Sequence, residues 1–210
     1  MKVFVVGPSV GYSRFIEDLE LVDDMKDAQV VLFTGGEDIN PELYGCKKHP
    51  STWFNTKRDQ FEVESFKKVA LDQLCVGICR GFQLFSAMYG GKLAQDVSGH
   101  WCGRSHSITN GKITYEITSL HHQMVYPFNL DQKDFEILYW AEGISHYYEG
   151  DGIDPKFFSM FGEPEVALFH REGLPTCLGV QGHPEMMAGS PVAKMINDLI
   201  RQNIKNYIKL

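Results

Sequence analysis

Short apolar runs that end at glycine punctuate the first half of the chain. Lys2–Val6 runs into Gly7-Pro8, and Gln29–Phe33 runs into Thr34-Gly35-Gly36. Uninterrupted apolar runs of this length fit strands buried on both faces. From Arg58 to Asp72 the pattern changes: Phe61, Phe66 and Val69-Ala70 recur at helical spacing between charges. Leu74–Ile78 reads as another short buried strand. Gly81–Tyr89 reads as a helix through Phe82, Leu84, Phe85, Ala87 and Met88, closed by Gly90-Gly91. Glycine ends helices readily because it accepts the left-handed conformation.

The second half is richer in strand signals, at Lys112–Ile117, Phe135–Trp140, Val166–Arg171 and Cys177–Gln181. The last stretch, Ala193–Ile208, places Met195, Ile196, Leu199, Ile200, Ile204 and Ile208 at helical spacing, which predicts an amphipathic helix. Strands alternating with helices imply parallel βαβ units, and the strand-rich second half implies added antiparallel strands. The expected fold is therefore α/β with a mixed sheet, as one domain over residues 1–210. Gly143 to Pro164 is irregular and aromatic. It reads either as a long surface loop acting as a lid or as a variable loop without function.

Composition narrows the class. Charged residues make up 22% of the chain and the formal net charge is −7, with no Lys/Arg block longer than a pair. That gives no electrostatic grip for nucleic acid or an anionic membrane. No apolar run of the length a transmembrane helix needs is present, and the opening strand is too short for a signal-peptide core. The five cysteines (Cys46, Cys75, Cys79, Cys102, Cys177) are odd in number and none has C-x-x-C spacing. Free thiols in a reducing cytoplasm are the expectation.

Gly77-Ile78-Cys79-Arg80-Gly81 has the G-x-nucleophile-x-G pattern between an expected strand and an expected helix. A nucleophile on that sharp turn needs small neighbours two residues away. The turn leaves it at a helix N-terminus, whose partial positive charge favours a thiolate placed there. The backbone N–H of Arg80 would point into the site and could donate to an oxyanion. A buried cysteine at a strand–helix junction is the alternative, and Cys75 reads as such a core residue. A thiol nucleophile also needs a base held in orientation. Gly182-His183-Pro184-Glu185 follows a strand-like run, and two residues of extended chain put Glu185 on the same side as His183. Alone, this tripeptide reads equally as a turn at a strand end.

Four segments, in order, resemble the class I glutamine amidotransferases and in particular their γ-glutamyl hydrolase, or peptidase C26-like, branch. They are Thr34 to Gly45 (TGGEDINPELYG), Gly77 to Leu84 (GICRGFQL), Ser119 to Gln123 (SLHHQ) and Gly179 to Glu185 (GVQGHPE), joined by Gly90 to Asp96 (GGKLAQD). The resemblance implies a three-layer α/β/α sandwich around a mostly parallel mixed sheet with a flavodoxin-like core. It implies that Cys79 attacks a γ-glutamyl amide to form a thioester, with His183 as base and then acid and Glu185 orienting it. Gly36 and the Arg80 N–H would form the oxyanion hole. Gly35, Gln83, His121, His122 and Gln123 would contact the small-molecule γ-glutamyl substrate. No cofactor is implied. Two adjacent histidines suggest a metal, but no third and fourth ligand at suitable spacing accompanies them, so no metal is expected. His100, His106, His146 and His170 fall into no constellation. The sequence departs from the family at Gly182, where a large residue is common, at its shorter front, and across 143–164.

Three functions fit this reading: a free-standing γ-glutamyl hydrolase, a glutaminase subunit feeding ammonia to a separate synthetase, and an inactive binding module. The complete Cys79, His183 and Glu185 set argues against the third. A homodimer is left open.

Overall fold

The computed structural model describes residues 1–207, apart from the side chains of Cys102 and Tyr207. Ile208, expected at the end of the last helix, lies outside the described residues. Thirteen strands are described: Lys2–Val6 (β1), Glu20–Leu21 (β2), Val30–Phe33 (β3), Leu74–Ile78 (β4), Lys92–Ala94 (β5), Asp96–Val97 (β6), Trp101–Thr109 (β7), Thr114–Leu120 (β8), Met124–Tyr126 (β9), Phe135–Ala141 (β10), Tyr148–Glu149 (β11), Glu163–Phe169 (β12) and Cys177–Val180 (β13). The α-helices are Thr56–Phe66 (α1), Arg80–Met88 (α2), Lys156–Phe161 (α3) and Pro191–Tyr207 (α4).

Nine strands form one sheet in the order β2-β1-β3-β4-β13-β12-β10-β7-β8. Pairing is parallel from β2 through β13 and antiparallel from β13 through β8. Alternation along the parallel strands sends their side chains into two cores. Val30, Leu32, Leu74, Val76 and Ile78 meet Val192, Ala193, Ile196 and Ile200 of α4 on one face. Val31, Phe33 and Cys75 meet Phe66 of α1 and Phe82 and Phe85 of α2 on the other. These are the three layers the resemblance implies.

Glycine sets how closely α2 approaches. Gly77 and Gly179 are register partners on adjacent strands. A Cβ on Gly77 would collide with the backbone of Gly81, and one on Gly179 with the ring of Phe82. The helix rests on a bare strip of sheet, which packs Phe82 and Phe85 fully out of water.

Several elements differ from expectation. α1 ends at Phe66, because Gln73 draws the following residues into a turn: its side chain accepts from Ala70 N–H (2.9 Å) and donates to the carbonyls of Met25 (2.6 Å) and Ala28 (2.8 Å). β7 was not anticipated, since its residues are mostly polar and exposed. β12 begins at Glu163, three residues before the expected strand at Val166. The segment 143–164, read as a loop, contains β11 and α3. Its hydrogen bonds run to Cys46, His49, Gln95 and Ser98, and the described contacts do not place it over Cys79. Among the described residues, Cys46, Cys75, Cys79 and Cys177 are free thiols.

Candidate active site

Cys79 leaves β4 and caps α2 with φ 50° and ψ −101°. Positive φ is a strained setting for a residue with a Cβ, and it persists only where the surroundings enforce it. Here its N–H donates to the Val180 carbonyl (2.7 Å) and its carbonyl accepts from Gln83 N–H (3.1 Å), so the turn is held at both ends. The side chain is nearly buried. Arg80 is the first residue of α2, so its N–H has no acceptor within the helix.

His183 comes off the end of the neighbouring strand β13. Its N–H donates to Thr118 Oγ1 (2.6 Å), and its Nδ1 lies 2.7 Å from Glu185 Oε1. Burial pushes the imidazole pKa down, but hydrogen bonds with Cys79 and Glu185 and their charges outweigh it and raise it to about 10. The ring has a carboxylate on Nδ1 and follows the strand paired with the one that leads to Cys79, the setting a proton carrier needs. Gln181, also on this strand end, points its amide Nε2 at Cys79 Sγ (3.6 Å).

The glycine loop closes the third side. A Cβ on Gly35 would touch both the His183 ring and the Tyr12 ring, so the loop backbone lies against the histidine. Gly36 has φ 150°, and a Cβ there would strike the Arg58 guanidinium. Arg58 holds this loop. Its Nη2 donates to the Gly35 carbonyl (2.7 Å) and Thr34 Oγ1 (3.2 Å), its Nη1 to Glu37 (2.5 Å), and its Nε to Glu62 (2.7 Å). Glu62 and Asp59 also meet the fully buried Arg80 side chain, at 3.5 and 2.8 Å. One ionic network thus joins α1, the glycine loop and the residue after Cys79.

The remaining site candidates take other partners. Gln83 is buried and donates to the Gln123 carbonyl (3.3 Å). Gln123 is buried and donates to Thr52 Oγ1 (3.1 Å). His122 sits 3.0 Å from Asp38, and that hydrogen bond raises its pKa against the opposing effect of burial. His121 is buried, its Nδ1 2.9 Å from the Gln123 carbonyl. Its Nε2 faces Glu165. The expectation that His100 and His106 fall into no constellation is corrected. Both converge on Glu165 beside His121, brought from distant parts of the chain by β7, β8 and β12. His146 and His170 stay outside that cluster.

Sequence reading missed Tyr12, Arg58, Thr118 and Gln181. Tyr12 sits beside His183, ring centroids 6.1 Å apart, and its pKa is raised by burial and then by the negative charge of Glu185 and Cys79. Gln181 lies inside the GVQGHPE segment, which could have flagged it; nothing local marks Tyr12, Arg58 or Thr118, whose site partners lie far along the chain. The Gly182 departure has a structural cause: a Cβ there would collide with the Ile117 side chain and the Thr118 carbonyl. A cavity of about 1360 Å³ is an aromatic groove around Phe128, Trp140, Phe157 and Phe161. None of Cys79, His183 and Glu185 lines it, and size alone does not make it the reaction site.

A parallel half-sheet between helical layers, with a cysteine elbow and a histidine at adjacent strand ends, is the architecture of the class I glutamine amidotransferases. The peptidase C26 family model matches residues 16–129, more than half of the chain, and the chain belongs to that family. The match includes Cys79 and stops short of His183. The chain is 31% identical over 97 residues to the glutamine amidotransferase-like protein YvdE of Lactococcus lactis subsp. lactis, covering 42% of this chain and 40% of that protein. It is 37% identical over 95 residues to the YvdE homologue of Lactococcus lactis subsp. cremoris, covering 42% and 50%. The matches therefore span half or less of these relatives. A GMP synthase component from Thermoplasma acidophilum superposes with a TM-score of 0.60 at 16% identity, over 99% of this chain and 95% of that one, a likeness of fold. No described helix is long and apolar enough to cross a membrane.

Proposed function

We propose that the protein hydrolyses γ-glutamyl amide bonds with Cys79 as nucleophile, His183 as general base and acid, and Glu185 as its orienter. The observation that carries this reading is the meeting of three features. Cys79 is held at positive φ on a strand–helix elbow, His183 follows the end of the strand paired with it, and Glu185 grips Nδ1 of that ring. Family membership supports hydrolase or amidotransferase chemistry; the substrate and the residue roles are the proposal.

Cys79 Sγ attacks the amide carbon, and the oxyanion forms opposite the N–H groups of Gly36 and Arg80. The tetrahedral intermediate collapses as the imidazolium of His183 gives its proton to the departing nitrogen. Ammonia or an amine leaves, and a γ-glutamyl thioester remains. Water then attacks the thioester carbon as His183 takes its proton, the C–S bond breaks, and glutamate leaves with the Cys79 thiolate and His183 imidazolium restored. Gly35, Gln83, His121, His122 and Gln123 are proposed to shape the glutamyl pocket, the buried ones through the backbone they hold.

A second reading is a glutaminase subunit that serves a synthetase. It is favoured by Val10 and Met186, which are 61% exposed on two short helical turns packed together beside His183. Apolar side chains at the rim of a site suit a docking partner. The test is glutamate release by the purified protein from L-glutamine and from a panel of γ-glutamyl amines and peptides. Release that is lost in Cys79→Ala establishes the hydrolase. Release from none of them, by protein whose Cys79 is labelled by a thiol reagent, favours the second reading. Near-normal release by Cys79→Ala refutes the mechanism.

A further inference from the structure

Behind the candidate triad, three imidazoles surround one carboxylate. His100 Nδ1, His106 Nε2 and His121 Nε2 lie 3.5, 3.0 and 3.6 Å from the same oxygen, Glu165 Oε1. Glu165, His100 and His121 are at most 3% exposed. Two of the three approaches are too long for hydrogen bonds. Glu165 Oε2 and His100 Nδ1 are buried without a hydrogen-bond partner. A buried carboxylate is costly unless paired, and this one has a single short contact, from His106 Nε2, for its two oxygens.

These spacings fit a different chemistry. His100, His106 and Glu165 each bring a ligand atom within 4.8 Å of the other two, and ligand atoms ~2.0–2.1 Å from a tetrahedral zinc ion stand about 3.3 Å from one another. The far nitrogens of two rings are already fixed: His100 Nε2 is 3.0 Å from Glu163 Oε2, and His121 Nδ1 is 2.9 Å from the Gln123 carbonyl. A carboxylate or carbonyl on the second nitrogen is the usual support of a metal-ligating histidine.

We infer that His100, His106 and Glu165 form a binding site for a divalent transition metal, best matched by zinc, with His121 beside it at 3.6 Å from Glu165. Two imidazoles and one carboxylate suit zinc over calcium or magnesium, which take oxygen ligands. The site is structural. β7 meets β10 at the single register pair Trp140↔Thr109, so the β7–β8 hairpin has little strand pairing to the rest of the sheet. An ion bound here clamps that hairpin to β12. Both sides of the clamp reach the candidate site: Thr118 accepts from His183 N–H, and the Glu165 carbonyl accepts from the N–H of Gln181 (2.8 Å), whose side chain points at Cys79 (3.6 Å).

The experiment is metal analysis of the full chain, produced with zinc in the medium and dialysed. One zinc per chain is expected, retained in Cys79→Ala and in Glu149→Gln, and lost in Glu165→Gln and His106→Gln. Glu149→Gln controls for His49, Asp96 and Glu149, an exposed group that could also gather a cation. Because the cluster variants risk misfolding, wild-type protein stripped by a chelator is titrated with Zn²⁺ and Co²⁺. A Tm increase that saturates at one equivalent, with the visible bands of four-coordinate Co²⁺ lacking thiolate absorption, is expected. Metal-free protein that shows neither response overturns the inference, as does zinc that disappears with Cys79→Ala or Glu149→Gln.

Discussion

Arg58 gives the sharpest test of how the site is assembled. In Arg58→Ala, the Gly35 carbonyl and Thr34 Oγ1 lose their donor, and Glu37 and Glu62 lose their closest cation. The Glu62 side chain is fully buried and keeps only Arg80 at 3.5 Å. Stranding one partner of a buried ion pair typically costs about 3–5 kcal/mol. Arg58 is 12% exposed, so water relieves part of this and the lower end, about 3 kcal/mol, is expected. At roughly 2–4 °C per kcal/mol for a chain of this size, Tm should fall by about 6–12 °C. The rate should suffer separately. Losing one oxyanion donor outright costs about 10²–10³ in kcat. A loosened Gly35-Gly36 loop places the proposed Gly36 donor poorly without removing it, so kcat should fall about ten- to a hundredfold. Arg58→Lys separates the two effects. It keeps a cation near Glu62 but lacks the fork that reaches Gly35 and Thr34 together, so it should recover most of the Tm and little of the rate. The assays are calorimetry and steady-state kinetics at a temperature where each variant is folded. Wild-type kcat in folded Arg58→Ala would refute the claim that this side chain positions the loop.

Three further outcomes follow from the same geometry. Cys79→Gly should be about 1 kcal/mol more stable than Cys79→Ala in urea denaturation, because glycine relieves the positive φ; equal stabilities would remove the strain argument. The His183 pKa is raised from 6.5 to about 10 on folding, so its contribution to stability is complete below pH 6.5 and lost as pH climbs through 10. Glu185→Gln should flatten that decline, and an unchanged slope would mean that Glu185 does not set the protonation of His183. Gly179→Ala drives a methyl into the Phe82 ring and should destabilise by about 1–3 kcal/mol; a loss within error would show that α2 has room to shift.

The parallel strands β3, β4 and β13 were legible because burial on both faces leaves continuous apolar runs. The elbow was legible because its glycines are sterically required within five residues of each other. β7 was not, since only Ile108 and a few neighbours turn inward and the inward His106 carries no apolar signal. α3 spans six residues, too few to show a helical period. Arg58 and Tyr12 were invisible as site residues for another reason. Their partners, Gly35 and His183, lie 23 residues away in one case and across most of the chain in the other. The histidine cluster is likewise non-local, assembled by sheet order rather than by spacing in sequence.

The pairing of β4 with β13 has a consequence for how such a molecule can diversify. Ile78 and Val180 are register partners, and Cys79 and His183 emerge just beyond them. The gap between thiol and imidazole is thereby inherited from the repeat between neighbouring strands, about 4.8 Å, with only short turns intervening. Loops around the rim can be lengthened, recoloured or exchanged without resetting that gap. Under the proposed chemistry, reactivity and selectivity are written in separate parts of the chain, and one can drift while the other stands still.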